Sequence, residues 1–412
     1  MKTQNSQQLC CQSRKVYPEA AESALQAFRE MGTAPLFFRT GRGSLLYDQD
    51  YNAFTDYDLC GGTLILGHAH RNVVLAVKKA AEYGIHFGMA TKAELDLAQE
   101  ILKAFPRMER ISFKPSAETA FNEALRLARA FTGKPLAAII DTNIASGRPS
   151  DDTLPSRIRA TEYEPADGLP AHACQVMTLP CDRIEQVEAS LSPFKAQLAC
   201  TMVAPLFTGD RVALMDEGYL KALRSLTRKY KSLLVMNEIN SGFRFHKGGL
   251  QEHLGTHGDL TCLGKIIGGG FPLGAVGGRR DILNQVSLRD NVAAGDAAAA
   301  NPVIMRAGLA TLRLLHNDLY RALERRAANL ADGFDAFFSA EKIPARVWRA
   351  GSLLKLQFDA PVSYPALFQF LLNNKILWPS DARQPFSLCS MHRSSDCERL
   401  AFLLKKFFQK EP

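Results

Sequence analysis

The chain has 412 residues, of which 46% are apolar and 22% charged, and its formal net charge is +8 at pH 7. This composition is ordinary for a soluble globular protein of two or three domains. The basic residues are dispersed and form no basic–aromatic array, which argues against a nucleic-acid-binding module. No apolar run reaches the length needed to span a membrane.

Nine cysteines occur at irregular spacing, without C-x-x-C pairs or the His/Cys spacings of metal sites. This pattern favours reduced thiols over a disulfide framework, and it indicates no metal. The N-terminal residues are polar and lack the apolar core of a secretory signal, so we expect a cytoplasmic protein.

The predicted elements begin with a loose tail at residues 1–17 and a helix at 20–31. Helical spacing predicts further helices at 71–83 and 91–105. A short strand at 110–113 then leads through the turn 115–118 into a long helix at 119–132. A strand followed by a small-residue turn and a helix offers backbone N–H groups to an anion.

Apolar strands and amphipathic helices continue to alternate after residue 133, which ends the long helix. Strands are predicted at 136–140, 198–205 and 233–236, with a helix at 217–230. This alternation predicts an α/β fold with a mainly parallel sheet and helices on both faces. Residues 142–175 are predicted to form a loop or lid. The remaining elements are helices at 301–314, 320–339, 364–373 and 394–409 and a strand at 353–358.

Lys265 is the most informative single residue. It lies between Gly264 and the glycine triplet at 268–270. Glycines let the backbone pack closely around one amine, and such an amine suits imine chemistry. A solvated loop lysine is the alternative on the local pattern alone, because glycine triplets are common in loops.

Four motifs carry a resemblance to a known family: LGHAH at 66–70, RLARAFTG at 126–133, SGFR at 241–244 and DLTCLGKIIGGG at 259–270. From about residue 17 onward the chain resembles the class III aminotransferases of pyridoxal phosphate fold type I, and among them the glutamate-1-semialdehyde aminomutases. The resemblance implies a large domain with a seven-stranded sheet, a smaller α+β domain built from both chain ends, and a homodimer with active sites at the subunit interface.

The domain boundaries expected from this resemblance follow the chain. Residues 18–60 would join the small domain, residues 61–300 would form the large domain, and residues 301–412 would supply a linking helix and the C-terminal part of the small domain. The resemblance also implies pyridoxal phosphate as cofactor, with Lys265 as the catalytic amine that bonds it and moves protons. Burial and nearby cations would lower the pKa of that amine. The positions that resemble the cofactor contacts are Ser116, Ala117, Glu118, Ile144, Asn237, Ile239, Lys265 and Ala297. Those that resemble substrate contacts are Gln26, Gly61 and Arg383.

Most of these positions depart from the family's pattern. Asn237 stands where an aspartate pairs with the ring nitrogen of the cofactor, and a neutral amide cannot stabilise a cation there. Glu118 stands where a threonine meets the phosphate. Two like unit charges ~4 Å apart repel by about 1 kcal/mol in water and about 4 kcal/mol at an intermediate dielectric, so a carboxylate here would oppose a phosphate. Ile144 lacks the aromatic ring that stacks on the cofactor, and Ala297 lacks a hydroxyl for the phosphate.

The substrate positions change as well, since Gln26 replaces an arginine, Gly61 a tryptophan and Arg383 a glutamate. Two interpretations remain open. In the first, the chain is a catalytically impaired or repurposed homologue, which could also serve as a heteromeric partner of an active homologue. In the second, it is an active enzyme that binds pyridoxal phosphate through Lys265 and takes an altered, amino-acid-like substrate.

Overall fold

The structure is a computed structural model. It describes residues 1–17, 28–142, 158–160, 175–181, 183–284, 301–359 and 362–409, with residues 158–160 described by their backbone alone. The strands are β1 Phe38–Arg42, β2 Leu45–Asp48, β3 Ala53–Asp56, β4 Arg110–Lys114, β5 Leu136–Asp141, β6 Ile158–Ala160, β7 Gln175–Pro180, β8 Leu198–Val203, β9 Leu206–Phe207, β10 Ala213–Leu214, β11 Leu233–Asn237, β12 Leu260–Leu263, β13 Gly274–Gly278, β14 Ala345–Ala350, β15 Leu353–Phe358, β16 Ile376–Leu377 and β17 Phe386–Ser387.

The helices are α1 Gln4–Ser13, α2 Leu59–Gly62, α3 Arg71–Glu82, α4 Lys92–Ala104, α5 Ala117–Thr132, α6 Ile184–Leu191, α7 Glu217–Lys229, α8 Gly249–His253, α9 Arg280–Leu283, α10 Pro302–Leu314, α11 Asn317–Ala340, α12 Tyr364–Asn373 and α13 Ser394–Phe408. Two 3-10 turns, at Ser192–Phe194 and Lys265–Gly268, complete the described elements. No helix within the described ranges is long and apolar enough to cross a bilayer.

The central sheet has the strand order β4-β13-β12-β11-β8-β5-β7-β6. Strands β12, β11, β8, β5 and β7 are mutually parallel, whereas β13 runs antiparallel to both of its neighbours. The predicted mainly parallel seven-stranded sheet is therefore confirmed, and the short β6 adds an antiparallel eighth strand at the edge. All six residues of β8 are buried, as expected for a strand covered on both faces.

Helix α5 packs against this sheet and shows why the local sequence becomes a helix there. Ser116 caps its first turn, and Gly133 ends it in the left-handed conformation at φ +66°. Its buried face is rich in alanine, including Ala120 and Ala124, so the helix can approach the sheet closely. The Cys262 thiol of β12 donates to the carbonyl of Ala120 at 3.7 Å.

The chain forms two compact units, one of Met1–Arg71 with Asp318–Pro412 and the other of Asn72–Asn317. These bounds lie 11 residues beyond the predicted start of the large domain at 61 and 17 beyond its predicted end at 300. The first unit holds a sheet of order β1-β2-β3-β16 and a second of order β14-β15-β17. Helices α11, α12 and α13 belong to it, and their buried faces are rich in leucine and phenylalanine.

The structure corrects the expectation that residues 1–17 are a loose tail, because residues 4–13 form helix α1. The carboxylate of Asp50 accepts hydrogen bonds from the backbone N–H groups of Asn5 at 2.8 Å and Ser6 at 3.0 Å. Asp50 thereby satisfies donors that the first turn of a helix leaves unpaired. The partner lies more than forty residues away in sequence, so no local pattern predicts this helix.

Candidate functional site

Lys265 begins the 3-10 turn that follows β12, and its backbone adopts φ +50°. Left-handed backbone in a residue with a Cβ costs on the order of 1 kcal/mol, and such strain tends to collect at functional positions. The residue is half-buried. The surrounding fold therefore holds the backbone of Lys265 in a conformation that a residue with a Cβ does not favour.

Helix α10 holds the Lys265 turn through direct backbone contact. A Cβ built on Gly308 would lie 2.1 Å from the carbonyl oxygen of Ile267, and one built on Gly269 would lie 2.5 Å from that of Ala307. Both distances are too short for any side chain. The two glycines thus set the position of the turn, and with it the position of Lys265.

Gly264 joins three of the predicted site residues. A Cβ built on it would lie 2.8 Å from the Cβ of Ala117 and 3.3 Å from Cγ2 of Ile239. The residue directly before Lys265 is therefore packed between the start of α5 and the loop that follows β11. The structure brings Ala117, Ile239 and Lys265 together in this way, and the sequence signal for it is the glycine before the lysine.

The turn before α5 is built by Ser116. Its hydroxyl oxygen accepts the N–H of Thr119 at 3.1 Å, and the Thr119 hydroxyl oxygen accepts the N–H of Ser116 at 3.0 Å. A Cβ built on Gly274 would lie only 2.0 Å from the Ser116 carbonyl oxygen, so β13 supports this turn by close backbone packing. The first N–H groups of α5 remain the natural anion-binding feature of the site.

Glu118 lies in the first turn of α5 and is exposed. A carboxylate in that position is favoured by the helix dipole. In water, a unit charge ~4 Å from a phosphate charge is repelled by only about 1 kcal/mol. The exposure of Glu118 therefore favours the lower of the two repulsion energies expected from the sequence.

Asn237 ends β11 and is half-buried. Its side-chain oxygen Oδ1 accepts the backbone N–H of Ile239 at 3.2 Å. In the parallel pair of β11 and β12, Asn237 lies opposite Cys262, three residues before Lys265. The carboxyl ends of parallel strands meet at one edge of a sheet, so Asn237 and Lys265 share that edge.

The neighbouring carboxylate, Glu238, is fully buried and serves the fold. It accepts the hydroxyl of Ser241 at 2.6 Å and the backbone N–H groups of Leu250 at 2.9 Å and Gln251 at 2.7 Å. Burial raises the pKa of the Glu238 carboxyl above its ordinary value, although these donors oppose the change. Sequence reasoning does not assign this role, because the donors lie 3 to 13 residues further along the chain, in the loop after β11 and in helix α8.

Two of the predicted substrate positions, Gly61 and Arg383, lie in the first unit. Gly61 has φ +61°, and its N–H donates to Oδ2 of Asp58 at 3.1 Å. Oδ1 of Asp58 accepts the amide of Gln384, next to Arg383, at 2.7 Å. Arg383 is exposed and pairs with Asp381 at 3.1 Å. Asp58, which sequence reasoning misses, therefore connects the two segments.

Three further predicted positions, Gln26, Ile144 and Ala297, lie outside the described residues. Most of the predicted loop or lid at 142–175 lies outside them as well.

The described residues fit pyridoxal phosphate at its aldehyde and at its phosphate. Lys265 supplies an amine suited to an aldehyde, and the first turn of α5 supplies N–H groups suited to a phosphate. Asn237, at the position that resembles the ring-nitrogen contact, carries an amide in place of a carboxylate.

Comparison with known proteins identifies the family. The family model described as "Aminotransferase class-III" matches residues 27–144 and 161–378. The glutamate-1-semialdehyde 2,1-aminomutase of Syntrophus aciditrophicus (strain SB) is 37% identical over 413 residues, covering 96% of this chain and 95% of the relative. That of Anaeromyxobacter sp. (strain Fw109-5) is 32% identical over 414 residues, covering 97% and 96%.

Among solved structures, the β-phenylalanine aminotransferase from Variovorax paradoxus superposes with a TM-score of 0.83 at 26% identity, covering 99% of this chain and 94% of that one. The family model matches well over half of the chain, and the two aminomutases match nearly all of it at more than 30% identity. With Lys265 on its turn after β12 and α5 beside it, the chain belongs to the class III aminotransferases, a family of pyridoxal phosphate-dependent enzymes.

Proposed function

We propose that this protein is a glutamate-1-semialdehyde aminomutase-like homologue whose carbanion chemistry is impaired or has been redirected to another use. The observation that carries the proposal is the amide of Asn237 at the end of β11, with its Oδ1 engaged by the N–H of Ile239 at 3.2 Å. Pyridoxal phosphate, when bound, supplies an electron sink whose strength depends on a protonated ring nitrogen.

A neutral amide cannot provide the negative charge that keeps such a nitrogen protonated. The adjacent carboxylate of Glu238 cannot replace it, because its oxygens are occupied by Ser241, Leu250 and Gln251 in a fully buried position. Proton transfers next to the amino carbon therefore lack their usual support, whereas the amine of Lys265 can still bond an aldehyde.

A second candidate is an active aminomutase or transaminase that uses Lys265 on an altered amino-acid-like substrate. The observation that favours it is the strained backbone of Lys265 at φ +50°. The close contacts of Gly264 and Gly269 with neighbouring elements hold the lysine in that conformation. Strained backbone of this kind is retained where the surrounding structure enforces it, often for function.

The first experiment measures cofactor uptake by the purified full-length protein. Pyridoxal phosphate is added up to millimolar concentration, and the absorbance band of the protein-bound cofactor is recorded. Borohydride reduction and peptide mass mapping then identify the lysine. The variants are Lys265→Ala and, as a matched control, Lys231→Ala, since Lys231 is an exposed lysine with φ +49°. We expect uptake by the wild type and by the control but not by Lys265→Ala.

The second experiment separates the two candidates by turnover. Glutamate-1-semialdehyde, the substrate in the relatives' names, and a panel of amino acids are supplied to the cofactor-loaded protein. The impaired or redirected function predicts no conversion of glutamate-1-semialdehyde beyond that given by free pyridoxal phosphate. Conversion that requires Lys265 would refute it and favour the active aminomutase. Conversion of another amino compound that requires Lys265 would favour the second candidate, an active enzyme on an altered substrate.

The partner we propose is a second copy of this chain, with an active homologue as the alternative. Helix α3 is amphipathic but buries no residue in the described structure. Large apolar side chains on it and directly after it are exposed, namely Leu75 at 54%, Tyr83 at 75%, Ile85 at 64%, Phe87 at 52% and Met89 at 75%. An exposed apolar patch of this size is typical of an interface.

Light scattering on the purified protein tests the dimer. Ile85→Asp should shift it towards the monomer, because a carboxylate in an apolar interface is not compensated. The matched control is Phe402→Asp, at an equally exposed apolar residue of α13. A wild-type monomer would contradict the homodimer. Formation of a mixed dimer with an aminomutase would then favour the heteromeric alternative.

A further inference from the structure

We infer that Asn237 makes this site select pyridoxal phosphate with a neutral, unprotonated ring nitrogen, to which its side-chain N–H donates a hydrogen bond. The inference rests on the proposed function, since it requires the cofactor to occupy the site beside Lys265.

The orientation of the Asn237 amide follows from its partner. The backbone N–H of Ile239 needs an acceptor, and only Oδ1 of the amide can accept, so the hydrogen bond at 3.2 Å fixes which atom is the oxygen. The other atom, Nδ2, is then a donor. None of the described residues accepts a hydrogen bond from it. Asn237 therefore presents N–H at the end of β11.

The Asn237 side chain lies at the same edge of the sheet as the Lys265 turn. Asn237 shares the carboxyl edge of the β11–β12 pair with Lys265. Ile239, which anchors the amide, also packs at 3.3 Å from the Cβ position of Gly264. Asn237 is therefore linked to Lys265 through Ile239, which hydrogen-bonds Asn237 and packs against Gly264, the residue directly before the lysine.

The charge around the donor also points to a neutral ring. The carboxylate nearest in sequence, Glu238, is fully buried and accepts three hydrogen bonds, one from the Ser241 hydroxyl in the loop after β11 and two from backbone N–H groups of helix α8. A protonated ring nitrogen is itself a donor, so it would face the N–H donor of Asn237 and would find no carboxylate at this strand end to compensate its charge. An unprotonated nitrogen accepts the same N–H and satisfies it.

The test observes the ring nitrogen itself. Pyridoxal phosphate labelled with nitrogen-15 in the ring is bound to the full-length protein, and the nitrogen chemical shift is recorded at neutral pH. We expect the shift of unprotonated pyridine in the wild type and of pyridinium in Asn237→Asp. The control Asn240→Asp adds a carboxylate three residues away and should keep the wild-type shift. A pyridinium shift in the wild type, or an unprotonated ring in Asn237→Asp, would overturn the inference.

Binding of a cofactor analogue gives a second measurement that needs only the wild-type protein. The analogue carries C–H in place of the ring nitrogen and cannot accept a hydrogen bond. We expect it to bind about tenfold more weakly than pyridoxal phosphate, the effect of one unmade hydrogen bond. Equal affinity, or no uptake of pyridoxal phosphate at millimolar concentration, overturns the inference but leaves an impaired function standing. Turnover of glutamate-1-semialdehyde by protein whose bound cofactor has a neutral ring nitrogen would refute the impaired function and leave the inference about Asn237 standing.

Discussion

The contact of Gly264 with Ala117 leads to the sharpest prediction for the site. In Gly264→Ala the new Cβ would lie 2.8 Å from the Cβ of Ala117, which is 0.6 Å less than the 3.4 Å at which ordinary contact begins. It would also lie 3.3 Å from Ile239. The backbone of Gly264 is extended at φ −168°, so the substitution adds no dihedral strain and tests the contact alone.

We expect Gly264→Ala to lower the free energy of unfolding by about 2 kcal/mol, the usual cost of one methyl group too many in a packed region. The neighbouring Lys265 should also be displaced, so less pyridoxal phosphate should be trapped on it by borohydride. Urea unfolding followed by circular dichroism measures the first effect, and peptide mass mapping measures the second.

The partner substitution makes this prediction refutable. Ala117→Gly removes the opposing Cβ, and in the double variant it should recover about 1 kcal/mol of the loss, since residues in contact are not additive. Gly333→Ala is the matched control, because a Cβ there meets nothing within 4 Å. If Gly264→Ala is as stable as the control, or if Ala117→Gly recovers nothing, the assigned contact is wrong.

Two further predictions concern the support of β11 and its loop. Burial tends to raise the pKa of Asp259, but hydrogen bonds led by that from Arg224 outweigh it and hold the pKa below the ordinary 3.8. The stabilisation is therefore complete above about pH 4 and is lost on acidification. Asp259→Asn should cost about 2 kcal/mol at pH 7 and flatten the acid side of a urea-unfolding series against pH; an unchanged pH profile would contradict this. Gly249→Ala should cost more than Gly133→Ala by about 2 kcal/mol in the same urea assay. The two glycines share a φ near +67°, yet only at Gly249 would the Cβ meet the Glu238 carboxylate, at 2.6 Å. Equal losses would show that the carboxylate moves aside.

Much of the secondary structure is predictable from sequence because its determinants are local. The strand at 353–358 and the helix at 364–373 are predicted at the residues where β15 and α12 are found. Side-chain caps such as Asn301 before α10 mark the helix starts. The mainly parallel sheet follows from the alternation of apolar strands and amphipathic helices. These features need only neighbours within a few residues.

Only part of the site can be predicted from the sequence. Residues in local motifs are identified, whereas contacts between distant parts of the chain are not. Lys265 and the turn at Ser116 are identified by their motifs. The position of Lys265 relative to Ala117 depends on a glycine contact between elements about 150 residues apart. Spacing along the chain contains no information about such a contact until the sheet has formed.

By itself the sequence determines the family, the α/β fold and the presence of an amine at 265 with an amide at 237. The tertiary structure alone decides what these groups face. Asp50 accepts N–H groups from the first turn of α1, helix α8 donates to Glu238, and the N–H of Ile239 binds the Asn237 oxygen. In each case a buried or terminal polar group must find its partner in the folded chain, and that partner sets its chemistry.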